Sequence, residues 1–559
     1  MGIFKNLVWL SLFTTASFAT FEDQRIQFLI AKKEYSKAID TYQKLYGKKN
    51  QVNQEVLQVL GQSILEDSIS SLDSKEQLLG LYGLMISQSS GIDFDFSKLI
   101  DSKDPSVQML TIQYLSSLNE DIVENWLNKA MSSPYLPVRL QALGVLVEHK
   151  SKLALSHIES LYYRLPEMYR PIFAQYYAAL GTPFAIKILK QMLSDPNPQM
   201  KVASLLSITQ FKRDDFKEEV KKILSQPDPM VQESAIFSLA EMQDLTACDL
   251  IKTYSNSSYP NLKLAALNGL LAFHQEKYQE QLFELASKGD LYAIFALGTV
   301  FNSEKTLIEL AKSSDYQIKF NAMHGLVEKK HPLSKSLLID FFKTHSLYDG
   351  IGPSFSVGKT QVCLKIFPAF MKQFEKSKEF CNYIQGMTLM IRSRLLVQAL
   401  DLKEDDFIEI AEVILENDIW DVIPTLVKLL ENCHSEKTIA MLKKMTQKVG
   451  SPRTRLYSLI ALARLKEPFY TAQFFEYFQS QNPQVIVKLQ TFDTQETSLK
   501  KPSRFLLTPD EHSQVLLEAY ETMVHLHDER VFPILLNAIV QSPKENKPVL
   551  AGLLLKALL

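Results

Sequence analysis

Few residues of this 559-residue chain are typed and spaced for chemistry. The densest set of metal-binding side chains is HLHDER, which contains His525, His527 and Asp528. Residues two apart on a helix face different ways, so these three share an ion only if the helix ends among them. A solvated helix terminus is the expectation there. Cys433-His434 sets a thiol beside an imidazole, but adjacency in sequence does not aim one at the other, and no third residue orients the pair. Gly358-Lys359-Thr360 resembles the end of a phosphate loop, yet Pro353 stands where its opening glycine belongs, and no strand precedes it. Cys248, Cys363, Cys381 and Cys433 show no paired CxxC spacing; Cys363 and Cys381 are either bridged across a helical hairpin or separate buried thiols. No catalytic residue, cofactor or metal ion is therefore expected, and an enzyme is the less favoured reading.

The informative spacing is architectural. Val107, Val138, Tyr169, Met200, Val231 and Leu262 recur every 31 positions, each opening the same short pattern. A basic or amide residue usually follows at the next position, a small one at the fourth and a large apolar one at the eighth, as in Gln232, Ala235 and Leu239. Asp228-Pro229 supplies a cap and a pre-set first turn for that helix. One period earlier, Gly80 and Leu84 fit the small and large positions, so the array begins near residue 70. Later the beat shortens to 30 residues at Tyr292 and 26 at Ile318.

Positions zero, four and eight share a helix face, and a small residue between them lets the next helix approach closely. FKEEVKKIL, from Phe216 to Leu224, has helical apolar spacing and supplies the companion helix of one pair. Two such helices cannot bury their faces alone, so stacked neighbours complete the core. The expected fold is all-α: an α-solenoid superhelix of stacked antiparallel helix pairs.

The stretches DPSVQMLTIQYL (Asp104 to Leu115), DPMVQESAIFSL (Asp228 to Leu239) and DYQIKFNAMHGL (Asp315 to Leu326) resemble HEAT repeats, particularly the short bacterial kind also found in phycobilin lyases. The resemblance is strong over 70–330 and looser beyond, with later copies at Ser451–Leu462 and His512–Met523. It implies a ladder of hydrogen bonds between the acid and the base of successive repeats. The basic member stands at Arg139, Arg170, Lys201, Lys263, Lys319 and Arg455, the acid only at Asp104, Asp228 and Asp315, so the ladder is incomplete.

The first nineteen residues, MGIFKNLVWLSLFTTASFA, have the form of a secretory signal peptide cut after Ala19. Residues 20–69 form the next segment, where KKEYSKAIDTYQKLY resembles a tetratricopeptide unit and is read as a cap on the array at 70–344. Residues 345–360, rich in Gly, Ser and aromatics, read as a loop or hinge. A second, less regular helical segment occupies 361–559, with a loop insertion near 481–507. The final LAGLLLKALL is strongly apolar, and packing as the last layer is favoured over exposure to a partner or membrane.

Around Tyr169, Phe173 and Tyr177 replace the small and large core residues, and Tyr162, Tyr163 and Tyr176 crowd the same segment. A bulkier core layer is the favoured explanation; as a partner-binding patch the candidates are Tyr162, Tyr163, Tyr169 and Tyr176. A net charge of −2 offers no broad attraction to phosphate, which argues against nucleic acid. The leading function is an exported, periplasmic or secreted protein-binding scaffold of a bacterial envelope. It would work through its groove, have no membrane span in the mature chain, and be at most peripherally associated with the envelope. The alternatives are a bilin-lyase-like repeat enzyme and a secreted factor acting on a host or neighbouring cell.

Overall fold

A computed structural model describes residues 21–47, 51–88, 95–118, 120–355, 362–366, 378–481, 483 and 503–559. The leader-like residues 1–19, the GKT sequence and most of 481–507 lie outside the described residues, as do the side chains of Cys363 and Cys381. The helices in chain order are α1 (Phe21–Ala31), α2 (Tyr35–Leu45), α3 (Gln54–Ile69), α4 (Ser74–Ser87), α5 (Ser97–Ile100), α6 (Pro105–Leu115), α7 (Glu120–Ala130) and α8 (Leu136–Glu148). Then come α9 (Ala154–Arg164), α10 (Phe173–Leu180), α11 (Pro183–Leu193), α12 (Pro198–Gln210), α13 (Lys217–Leu224), α14 (Pro229–Glu241), α15 (Cys248–Lys252) and α16 (Pro260–Ala272). The next group is α17 (Gln279–Ser287), α18 (Leu291–Ala296), α19 (Glu304–Leu310), α20 (Tyr316–Glu328), α21 (Ser334–Thr344), α22 (Lys378–Ala399) and α23 (Glu404–Glu416). The last are α24 (Ile423–Leu430), α25 (Glu436–Thr446), α26 (Pro452–Arg464), α27 (Pro468–Gln479), α28 (Pro509–His525), α29 (Val531–Gln541) and α30 (Lys547–Lys556). Two short strands, β1 (Ile351–Phe355) and β2 (Val362–Ile366), pair antiparallel.

The chain is all-α in class, built of stacked helix pairs, and divides into two compact units. Of the described residues, those within 21–141, 459–483 and 506–559 form the first, and those within 142–458 and 503–505 form the second.

In the second unit the 31-residue beat is visible in the backbone. Lys150, Gly181, Lys212, Gln243 and His274 each adopt a left-handed φ between 50° and 59°. Each ends the second helix of a pair. The residue after Lys150, Lys212, Gln243 and His274 donates its N–H to the carbonyls of Leu146, Ile208, Leu239 and Leu270, closing the helix with a six-to-one bond. Those carbonyls belong to the large apolar residues at the eighth position, so one residue fills the core and anchors the turn. Asn302 and Lys330 continue the series at 28-residue steps, which averages the uneven 30 and 26 of the apolar pattern.

Five of the six landmark residues, Val107, Val138, Met200, Val231 and Leu262, are buried, but Tyr169 is half exposed. It does not open a helix. Glu167–Ile172, flanked by Pro166 and containing Pro171, forms a 3₁₀ segment, and the α-helix starts only at Phe173. Phe173 and Tyr177 are buried where the pattern wants core residues.

The acid–base ladder is replaced by other links. Asp104, Asp228 and Asp315 cap their own helices, accepting from Ser106, Met230 and Gln317. The residue after the landmark reaches instead to a polar residue 25 positions on: Ser133 donates to Gln108 at 2.6 Å, and Lys201 donates to Gln226 at 2.5 Å.

The first unit joins segments more than 400 residues apart in sequence. The helix α30 packs against α3 and α4, and α2 packs against α29. Its residues Val549, Leu550, Ala551, Leu553 and Leu554 are all fully buried. The contact is backbone to backbone: a methyl on Gly83 would overlap the Pro548 carbonyl, and one on Gly552 would overlap the Gly83 carbonyl. Lys544 to Glu76 at 2.6 Å and Gln43 to Asn537 at 2.9 Å flank the seam. The tetratricopeptide-like pair α1–α2 buries Tyr35, Ala38, Ile39 and Tyr42, as its spacing requires. Its second helix also meets α29, while α1 keeps Phe21 and Phe28 exposed.

The 345–360 segment expected as a loop contains structure. Its residues 351–355 form β1, with Ile351 opposite Ile366 and Pro353 opposite Leu364. Leu364 turns both its N–H and its carbonyl away from β1, so Pro353–Leu364 is a non-hydrogen-bonded pair, where a proline costs the ladder nothing.

Gly552→Val should clash with the Gly83 carbonyl and destabilise the first unit by about 3 kcal/mol or more. Gly386→Ala is the control, since nothing lies within 4 Å of the added methyl; removing a helical glycine should stabilise by about 0.5–1 kcal/mol. Urea unfolding of both variants checks the pair.

Candidate binding surface

The second helices α14, α16, α18 and α20 lie in the second unit, and each presents a face that its own pair does not cover. α14 packs closely on α16, and α18 on α20, but α16 and α18 touch only sparsely. The break falls where the beat first shortens: α18 has six residues, against thirteen in α14, α16 and α20. A cavity of about 690 Å³ opens there, lined by Phe237 and Glu241 of α14, Ala265, Asn268 and Ala272 of α16, and Tyr292 and Phe295 of α18. Apolar and aromatic walls with a few polar groups are the usual make-up of a ligand pocket of this size.

Beyond the break, the hairpin of β1 and β2 covers the helices. β2 packs on α18 and α20, and β1 on α22. The Asn321 amide grips one residue by its backbone: Nδ2 donates to the Leu364 carbonyl at 2.7 Å, and Oδ1 accepts from the Leu364 N–H at 2.8 Å. Thr388 does the same for β1, accepting from the Ile351 N–H at 2.8 Å and donating to its carbonyl at 3.2 Å. Both outer edges of the hairpin are thereby occupied at these positions by side chains that mimic a neighbouring strand. Tyr292 bonds Ser354 of β1 at 3.1 Å and also lines the cavity, so the two regions meet at its ring.

Buried ion pairs brace the second unit, one of them on the helix that carries β1. Arg392 is fully buried, pairs with Asp421 at 2.5 Å through Nε, donates to the His345 carbonyl at 2.7 Å and lies 5.3 Å from the Phe342 ring centroid. Arg453 pairs with Asp418 at 2.5 Å, and Ser451 and Thr454 also donate to that carboxylate. Loss of one partner from such a pair strands a buried charge. His324 stacks on Phe295 with centroids 4.7 Å apart. Burial, helped by the Arg394 guanidinium, pushes its pKa down to about 4.

The sequence candidates separate in space. Tyr162 and Tyr163 meet edge to face at 5.4 Å, and the Arg170 guanidinium lies 5.2 Å from the Tyr162 ring. Tyr163 and Tyr169 are exposed, whereas Tyr176 is buried against Phe173 and belongs to the core. His525 ends α28, His527 turns left-handed beyond it, and Asp528 holds Arg530 at 2.6 Å. Among the described residues no group of three or more metal-binding side chains converges. Cys433 is buried and its thiol is pushed up, the opposite of activation. Asn321 and Thr388 were not singled out by the sequence. The usable signal was an asparagine three residues after the landmark Ile318, where Val231 and Leu262 are followed by Ser234 and Ala265.

Residues 186–271 match the family model described as HEAT repeats, a span that contains α14 and all but the last residue of α16. No curated protein matches the chain. Among solved structures, the complex of CpcE and CpcF of phycocyanin lyase from Nostoc is 19% identical, covering 38% of this chain and 92% of that one, with a TM-score of 0.28. Kap121p is 12% identical over 95% of this chain and 58% of its own length, with a TM-score of 0.35. UNC-45 from Drosophila melanogaster is 12% identical over 92% and 72%, at 0.29. Likeness at these values carries nothing about ligand or activity. The chain is a helical repeat protein that carries HEAT repeats at 186–271, and no described helix is long and apolar enough to cross a membrane.

Asn321→Ala removes both bonds to Leu364 and should cost about 1–3 kcal/mol, with faster hydrogen exchange in β1 and β2 and little change in α14. His324 binds a proton less readily folded than unfolded, so its neutral form stabilises the fold fully above pH 6.5, and that stability is lost as pH falls from 6.5 towards 4. Chemical denaturation of His324→Leu across this range should show a flatter pH dependence than the wild type.

Proposed function

We propose that this helical-repeat protein is a non-catalytic binding scaffold whose partner is another protein, held on the second-helix face of the second unit. The observation that carries the reading is the grip of Asn321 on Leu364: a helix of this stack holds extended polypeptide through its backbone, independently of side-chain identity. The adjoining face on α14 and α16 is open, concave and lined by apolar and aromatic residues. Repeat stacks commonly bind along such continuous faces. On the MGIFKNLVWLSLFTTASFA start alone, the proposal extends to an exported protein that meets its partner in the envelope or beyond it.

The test is crosslinking of the tagged protein in intact cells of its source, followed by mass spectrometry of what is attached. One protein recovered in near-stoichiometric amount supports the scaffold. Recovery of none, with the tagged chain intact and abundant, contradicts it.

A further inference from the structure

The open face of α16 occupies the same place in its repeat as the strand-covered face of α20. Counted from the landmarks Leu262 and Ile318, Ala265 stands where Asn321 stands, Asn268 where His324 stands, and Ala272 where Glu328 stands. On α20 this face carries β2. On α16 the cavity takes its place, walled by Ala265, Asn268 and Ala272. Tyr292 joins the two regions, since it lines the cavity and bonds the hairpin at Ser354.

We propose that the cavity between α16 and α18 receives an extended segment of a partner protein, in line with the hairpin, and that this segment carries a large apolar side chain beside a lysine or arginine. The inference rests on the scaffold reading and names the chemistry of its partner. An extended segment is favoured because an extended strand already lies on the equivalent face next door. Such a segment leaves water with its backbone N–H and carbonyl groups unsatisfied, and the Asn268 amide offers one donor group and one acceptor at the cavity wall. The apolar side chain follows from Phe237, Phe295 and Val300, which make a pocket rather than a flat patch. The cation follows from the rim. Glu241 and Glu276 line it, and no lysine or arginine does. Because both carboxylates are exposed, they select the sign of charge and contribute modestly to affinity.

A phage-displayed library of random 12-residue peptides, panned on the purified full chain, tests the proposal. Enriched sequences are synthesised with a fluorescent label and measured by polarisation. The expected result is enrichment of Leu, Phe or Trp next to Lys or Arg. Binding should weaken at least tenfold on Ala272→Trp, which fills the cavity from an exposed position, and about threefold to tenfold on Glu241→Lys or Glu276→Lys. Thr299→Trp, from another exposed wall position, replaces Ala272→Trp if that variant loses its helical circular dichroism. Enrichment of acidic peptides, equal binding to the filled variant, or no enrichment would each overturn the proposal. A cellular partner that remains crosslinked to Ala272→Trp would overturn it while leaving the scaffold reading intact; absence of any cellular partner would instead remove the scaffold reading itself.

Discussion

A helix that is apolar around its whole circumference has to be buried on every side, and α30 meets that demand by lying against α3 and α4. The approach is as close as two helices make, since Gly83 and Gly552 bring backbone against backbone with no room for a methyl group on either. An open repeat stack needs a polar outer layer at each end. The first unit has none at this seam, because each terminal segment supplies the other's missing neighbour. Closing a loop of several hundred residues costs only slowly growing entropy, so the burial of α30 outweighs it readily.

Those repeats show how much structure a period can encode. The apolar residue at the eighth position of each unit fills the core, and its carbonyl receives the bond that ends the helix, so the 31-residue beat in side chains and the 31-residue beat in left-handed φ have one cause. The Asp-Pro starts and the amphipathic companion helices were legible for the same reason: local hydrogen bonding and burial act within a few residues. Tyr169 misled because the period was intact while two prolines shifted the local backbone to a 3₁₀ turn. The hairpin was hidden because its strands have only five residues, β1 contains Gly352 and Pro353, and their outer edges are held by side chains on distant helices. The union of α30 with α3 and α4 could not be read at all, since an apolar helix does not state which neighbour buries it.

The candidate surface follows from a flaw in the repetition. Where α18 shortens, α16 loses its close neighbour and a cavity remains. Immediately beyond, the chain covers its own helices with a strand held by Asn321, so the same kind of face is seen both occupied and open. The exposed Tyr163 and Tyr169 lie elsewhere, on the 3₁₀ segment and the helix before it, and nothing extended rests there in the described residues.

The central claim is that protein partners bind on the second helices of the second unit. Hydrogen exchange of the chain alone and with its crosslink-identified partner, read by mass spectrometry, tests it most directly. The account predicts slower exchange in α14, α16 and the 291–303 segment, with the 155–180 region unchanged. Protection confined to the tyrosine-rich 160–172 stretch, or to the first helices of the pairs, would contradict it.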